Sequence, residues 1–373
     1  LAFIRRHSPP CIYIFPYTTL FRSIQDNQTF FGYKIENKKP IAKPSNLSLT
    51  GIIRFDNNKN KTGVTMKQAV WKSDWFTSLI ITLVFLVFIQ SDFIQSIERD
   101  AYDFGVQSSS HVVSDKIAIV AIDDESIANI GRWPWTRDIH AKMHELLTEG
   151  DVKAIGQTVF FAEPQLDPGL KFIQELKTTF EESSLSRVAE HIEEINQIKE
   201  YIASAEITLN TDKTLAESML QTGNVVLAMP FVPGEPIGRP DHELPEYVQH
   251  NKLPESNIID NPGSNPDGWR PLTMINTLPP IPTIGEAALN IGSLVNILDV
   301  DGGIRSEPLV IDYYGSLYHS VALILAAKSL NLNINDIKVT ISSDVQLGRL
   351  TIKTDEESQM KTFFYNNKGY DSA

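Results

Sequence analysis

The chain has 373 residues, a single cysteine and a formal charge of -13. A net negative surface repels phosphate backbones and anionic headgroups, which excludes nucleic-acid binding, and one thiol excludes a disulfide framework. The charge is uneven: residues 1–65 hold ten Lys or Arg against three Asp or Glu, and the remainder is strongly acidic.

Residues 1–65 mix aromatics, Pro and Asn with neither a helical nor a strand period, and the first methionine is Met66. The expectation is an unstructured leader that is not part of the native protein, with translation starting at Met66. Cys11 lies in this leader, so the rest of the chain is free of thiols, a composition that suits a bacterial periplasm.

Residues 76–89, FTSLIITLVFLVFI, form the one run apolar enough to enter a bilayer. At about 1.5 Å per residue they reach roughly 21 Å, short of a hydrocarbon core of ~30 Å. Val70, Trp71 and Trp75 extend the run, and Lys67 and Lys72 can snorkel, which gives a transmembrane signal anchor over residues 70–94. A buried core helix and a cleaved signal peptide are the alternatives. Basic residues before the run and Glu98, Asp100 and Asp103 after it orient the N-terminus toward the cytoplasm. The expected location is the inner (plasma) membrane, with everything after about residue 92 extracytoplasmic.

Residues 95–373 then read as one large α/β domain with a mostly parallel sheet and flanking helices. Residues 116–123 (KIAIVAID), 153–161 (KAIGQTVFF) and 224–231 (NVVLAMPF) are continuous apolar runs, the pattern of strands buried on both faces. A helix over 137–149 separates the first two. A long helical insertion over 170–222 separates the second and third, with Ile192, Ile195, Ile198 and Ile202 at near-helical spacing. The insertion reads either as a hairpin that pairs with a second subunit, giving a homodimer, or as an amphipathic element packing on its own domain.

Twelve of the 21 prolines fall between Pro230 and Pro282, which predicts an extended loop or series of turns able to act as a lid. Residues 290–298 and 304–313 read as a strand pair joined by a turn at 299–303. A helix over 318–330 and strands near 338–341, 350–353 and 362–365 complete the domain.

Three clusters carry candidate chemistry. Asp123 and Asp124, at the carboxyl end of the first strand, and Glu163, beyond the second, stand where open α/β sheets place ligands. They read either as an acidic site able to hold Mg²⁺ or as helix-capping groups, with Asp124 or Ser126 starting a short helix. Arg132, Trp133, Pro134, Trp135, Thr136 and Arg137, followed by His140, read as a ligand-stacking clamp or as tryptophans that plug the sheet end while the arginines pair with those acids; Thr136 is the expected cap of the helix from Arg137. Asp299 and Asp301 with Gly302 read as a tight turn, because the rest of an EF-hand loop is missing. The candidate ligand site is therefore Asp123, Asp124, Arg132, Trp133, Trp135, Arg137 and Glu163. No metal site is assigned, no cofactor is implied, and no nucleophile, phosphate loop or metalloprotease motif is present.

The motifs GRWPWTR, FFAEP and VDGGIR, in this order and spacing, together with LAESMLQTGNVVLA and LYHSVALILA, resemble the CHASE2 domain. The resemblance covers the chain from about residue 76. It implies an extracytoplasmic sensor region of a bacterial transmembrane receptor that meets a small extracytoplasmic ligand, with no catalytic residue of its own. It further implies an effector beyond this chain, an adenylate or guanylate cyclase or a kinase. This chain departs from the family pattern at Thr158, where an acid is usual, which weakens a metal site shared between strands. The other readings are a cell-envelope binding or scaffold protein without output, and a metal-dependent hydrolase using Asp123, Asp124 and Glu163.

Overall fold

The computed structural model describes residues 11–16, 74–88, 91–108, 114, 116–165, 167–188, 192–260, 265 and 268–363. The chain divides into two units, Ile24–His111 and a larger one comprising Leu1–Ser23 and Val112–Ala373.

In the smaller unit, α1 (Asp74–Phe88) and α2 (Asp92–Ser108) are helical. Leu79, Ile80, Ile81, Leu83 and Val84 in α1 are all between 45 and 58 % exposed. Neighbouring positions on a helix differ by about 100°, so these five positions cover roughly 200° of the helix surface, with Ser78 and Thr82 on the remaining side. With 15 residues it spans about 22 Å. Among the described residues no helix is long and apolar enough to cross a membrane. Residues 70–73 and 89–90, which the anchor reading adds, lie outside the described residues.

The larger unit opens with β1 (Cys11–Pro16), a parallel strand inside the segment read as unstructured, where the sequence carries no period to announce it; the rest of that leader lies outside the described residues. Then come β2 (Ile117–Ile122), α3 (Asp124–Ile130), α4 (Arg137–Glu149) and β3 (Ala154–Gln157). The helical insertion follows as α5 (Pro168–Glu182), α6 (Ser184–Val188), α7 (Glu193–Leu209) and α8 (Thr211–Thr222). Next are β4 (Val225–Pro233), α9 (Glu246–Gln249), β5 (Ile258–Ile259), β6 (Leu272–Thr277), α10 (Pro282–Gly285) and β7 (Asn290–Leu294). After them come β8 (Ser306–Pro308), β9 (Val310–Tyr313), β10 (Ser316–His319) and α11 (Val321–Ser329), and finally β11 (Ile337–Thr340), β12 (Asp344–Leu347), β13 (Leu350–Lys353) and β14 (Gln359–Lys361).

The main sheet runs β10-β9-β6-β4-β3-β1-β2, with β7 beside β4. The pairs β2–β1, β1–β3, β3–β4 and β4–β7 are parallel, so β2, β3, β4 and β7 all present carboxyl ends at one edge. The far half is mixed: β6 pairs antiparallel with β4 and parallel with β9, and β9 pairs antiparallel with β10. A second sheet, β13-β12-β11-β5, and the pair β14-β8 close the domain.

Four expectations change. β2 is an edge strand, not one buried on both faces: Ile117 and Ile119 are each 48 % exposed. The second apolar run is a strand only as far as Gln157, although Thr158, Val159 and Phe161 stay buried. Within the proline-rich segment, the six proline-free residues of β6 lie across the sheet, because between Pro271 and Pro279 every backbone donor is present. The runs around 290–298 and 304–313 do not pair with each other; β7 joins β4, and β9 joins β6 and β10.

Two cores hold the sheet. Ile155, Phe161, Leu215, Met219, Leu227 and Ile284 pack in one, between α4, α8, α10 and the sheet. Val226, Val310, Val321, Ile324, Val339 and Val345 pack in the other, around α11. Gly292 in β7 permits the close passage of α11: a Cβ there would lie 2.7 Å from the Val321 amide nitrogen and 2.8 Å from Ile324 Cδ1. The pair α5–α7 has a separate small core of Phe180 and Ile202 with Ile173 and Ile195, tied by the Lys177–Glu206 ion pair at 2.7 Å.

Candidate functional site

The carboxyl edge is built from the segment after β2 and the segment after β3. Asp123 ends β2 and caps α3: its Oδ1 accepts from Ser126 N at 2.8 Å, and Ser126 Oγ accepts from Asp123 N at 2.8 Å. These bonds hold the Asp123 carboxyl below the usual carboxylate range, the Ser126 contacts first among the causes. The cap is Asp123 and not Asp124, because Asp123 is the last extended residue and its side chain alone reaches back over the first turn. Asp124 is exposed on the first turn of α3, where its charge suits the positive helix end.

The turn from α3 to α4 is organised by Gly131 and Trp135. Gly131 has φ +125°, a conformation L side chains avoid, and its carbonyl accepts a hydrogen bond from Trp135 Nε1 at 2.8 Å. The peptide between Trp133 and Pro134 is cis. Trp135 is 4 % exposed and Trp133 is half-buried; the two rings meet edge to face, with centroids 5.5 Å apart. Trp133 then meets the buried His140 at 5.9 Å, and His140 meets Phe161 at 5.5 Å, also edge to face. The tryptophans therefore plug the sheet end, with Trp133 partly exposed.

Arg137 begins α4 but does not pair with the acids after β2. Its Nε lies 3.2 Å from Asp212 Oδ1 in α8, its Nη2 donates to the Glu163 carbonyl at 3.1 Å, and its Cζ sits 4.6 Å over the Phe161 ring. The expected Thr136 cap makes no side-chain bond. Gln165 replaces it, its Oε1 accepting from Arg137 N at 2.8 Å and from Thr211 Oγ1 at 2.9 Å, while Gln165 N donates to Asp212 Oδ2 at 2.8 Å. Asp212, Gln165 and Phe161 thus complete the site, and no local pattern announces Asp212, which reads as an ordinary acid in the first turn of a helix.

Of the seven predicted residues, the structure brings together Trp133, Trp135 and Arg137, joined by the backbone of Glu163. Arg132, Asp124 and the Glu163 side chain are exposed at the same edge, and Asp123 is committed to its cap. Among the described residues no group of three or more His, Cys, Asp or Glu is placed to hold a metal ion. A wide-open groove of about 760 Å³ runs along β13 and β14, bordered by Lys353, Asp355 and Phe363; none of the seven lines it. The turn at 299–303 is closed by Arg305, which bonds Asp299 at 2.8 Å and Asp301 at 2.7 Å and so occupies both carboxylates.

The larger unit is thus a mixed α/β domain whose edge is ordered around Trp135, His140 and Arg137. Residues 79–371 match the CHASE2 domain, and the chain belongs to that family, whose members are extracytoplasmic sensor domains of signal-transduction receptors and are sensory, not catalytic. No curated protein and no solved structure matches the chain.

Proposed function

We propose that this chain is the sensor half of a membrane-anchored receptor, held in the inner (plasma) membrane by a segment over residues 70–94 and read out by a cyclase or kinase domain beyond residue 373. The family match carries the sensory part of this reading. The anchor is supported by the wide arc of exposed apolar side chains on α1, which water does not favour and lipid does. The ligand is a small polar molecule taken at the carboxyl edge, where Arg132, Asp124 and Glu163 are exposed and Trp133 is partly exposed. Two copies associate through the α5–α7 hairpin, supported by the exposure of Phe172 and Tyr201 at 70 and 75 %.

Reporter fusions test the topology. A reporter active only outside the cytoplasm is expected to work when joined after Val106 and to fail when joined before Lys72. The reverse pattern, or activity at both points, overturns the anchored reading.

A further inference from the structure

Helix α4 turns two histidines, one helical turn apart, into the core above β3. His140 and His144 are both 0 % exposed. Both ring nitrogens of His140, Nδ1 of His144 and Nε2 of Gln157 have no hydrogen-bond partner. The remaining nitrogen, His144 Nε2, lies 3.3 Å from Gln157 Oε1. The walls around His140 are rings: Trp133, Trp135 and Phe161.

No charged group near the pair makes a hydrogen bond to either ring nitrogen of His140 or to His144 Nδ1. After burial itself, His144 and then Arg137 on α4 oppose a positive charge on His140, and only the exposed Asp138 favours one, more weakly than either. From α8, Asp212 is held by Arg137 and by Gln165 N. From the segment after β3, Glu163 is exposed and gives α4 only its carbonyl, to Arg137. From β3, Gln157 is neutral.

We propose that the His140–His144 pair makes this domain acid-responsive: a proton taken up between α4 and β3 finds no counter-charge there and is accommodated only when α4 and the tryptophan turn part from the sheet. The step is one proton moving from water to an imidazole nitrogen, with no other bond made or broken. Opening α4 at its first turn also withdraws Arg137 from Asp212 and from the Glu163 carbonyl, so acid releases a guanidinium at the edge proposed to take the ligand. Only this last consequence rests on the sensor reading; the opening itself is a property of the fold.

Burial holds both imidazoles down at about 4, against an ordinary 6.5. Between those values the open form binds protons that the closed form refuses. Each histidine therefore favours opening at pH 5 on the order of twentyfold relative to neutral pH.

Amide hydrogen exchange on the full chain at pH 7 and pH 5, corrected for the intrinsic pH dependence of exchange, tests the proposal. Protection over α4 is expected to fall at least tenfold more at pH 5 than in the double variant His140→Phe, His144→Gln, which keeps a ring inside the aromatic cage and an amide beside Gln157. Protection over α11 serves as the control, because α11 belongs to the other core, and it is expected to respond to pH alike in both proteins. Equal loss over α4 in wild type and variant overturns the proposal. Should the variant not fold, an NMR titration of the wild-type histidine rings decides: values for His140 and His144 near 4 sustain the proposal, and values above 6 overturn it. Neither outcome bears on membrane topology, so the proposal and the anchored-sensor reading fail separately.

Discussion

Arg137 and Asp212, 75 residues apart in the chain, meet at 3.2 Å with their side chains only 13 and 12 % exposed. The pair ties the start of α4 to the start of α8 and joins both to the segment after β3 through Gln165 and the Glu163 carbonyl. Removing one partner strands the other charge in a site largely closed to water. Asp212→Ala is expected to cost about 3 kcal/mol in denaturant unfolding, and a cycle with Arg137→Met to return a coupling of about 1–2 kcal/mol. A coupling near zero would show that the two side chains act independently.

The tryptophan turn divides into a structural half and an accessible half. Trp135 fills the core and donates to Gly131, so Trp135→Ala is expected to cost about 3–5 kcal/mol, and Trp135→Phe, which loses the hydrogen bond and part of the ring, about 1–2 kcal/mol. Trp133, half-buried, is expected to cost less than Trp135 when truncated. Thermal melts of the three variants check the order.

At Gly292 the limit is space. A methyl group there meets the Val321 backbone, which cannot rotate away as a side chain would. Gly292→Ala is expected to destabilise by about 1–3 kcal/mol, measured by chemical denaturation, with the loss shared between β7 and α11.

Stability is expected to depend on pH in two opposed ways. His140, His144 and His319 are held at about 4 by burial, below an ordinary 6.5, so the unfolded chain binds more protons in that interval. Their contribution is whole above about 6.5 and is lost as pH falls toward 4, by about 2 kcal/mol per histidine at pH 5. Glu307 on β8 runs the other way: burial pushes its carboxyl up to about 7 from 4.5, so the folded state is penalised as pH rises through that interval. Three histidines outweigh one glutamate, so stability rises from pH 4 to about 7.5 and levels off above it. Glu307→Gln is expected to add about 3 kcal/mol at pH 8 and nothing at pH 4. Denaturant midpoints across pH 4–8 for both proteins check the sign.

What was legible in the sequence follows from how local each signal is. The boundaries of α4 matched those read from sequence, because the proline turn before it and Gly150 after it punctuate one short segment, whereas its buried face, His140, Ala141, His144 and Leu147, is half polar in type and was not legible. The parallel arrangement of β2, β3 and β4 was legible in three apolar runs separated by helices. β6, β10 and β12 were not, since each is only four to six residues long; β6 draws its pairing from β4 and β9, distant in the chain, while β10 and β12 sit in short hairpins whose turns carry no strong signal. The same divide runs through the site. The sequence alone determined that aromatic, basic and acidic residues gather where the first strands end, because a strand's carboxyl end and the turn after it are contiguous in the chain. Only the tertiary structure decided the distant partners, giving Arg137 to Asp212 and Phe161, and His140 to a cage of rings, because ion pairs and ring contacts are chosen by distance in space, and α8 stands beside α4 only in the folded sheet.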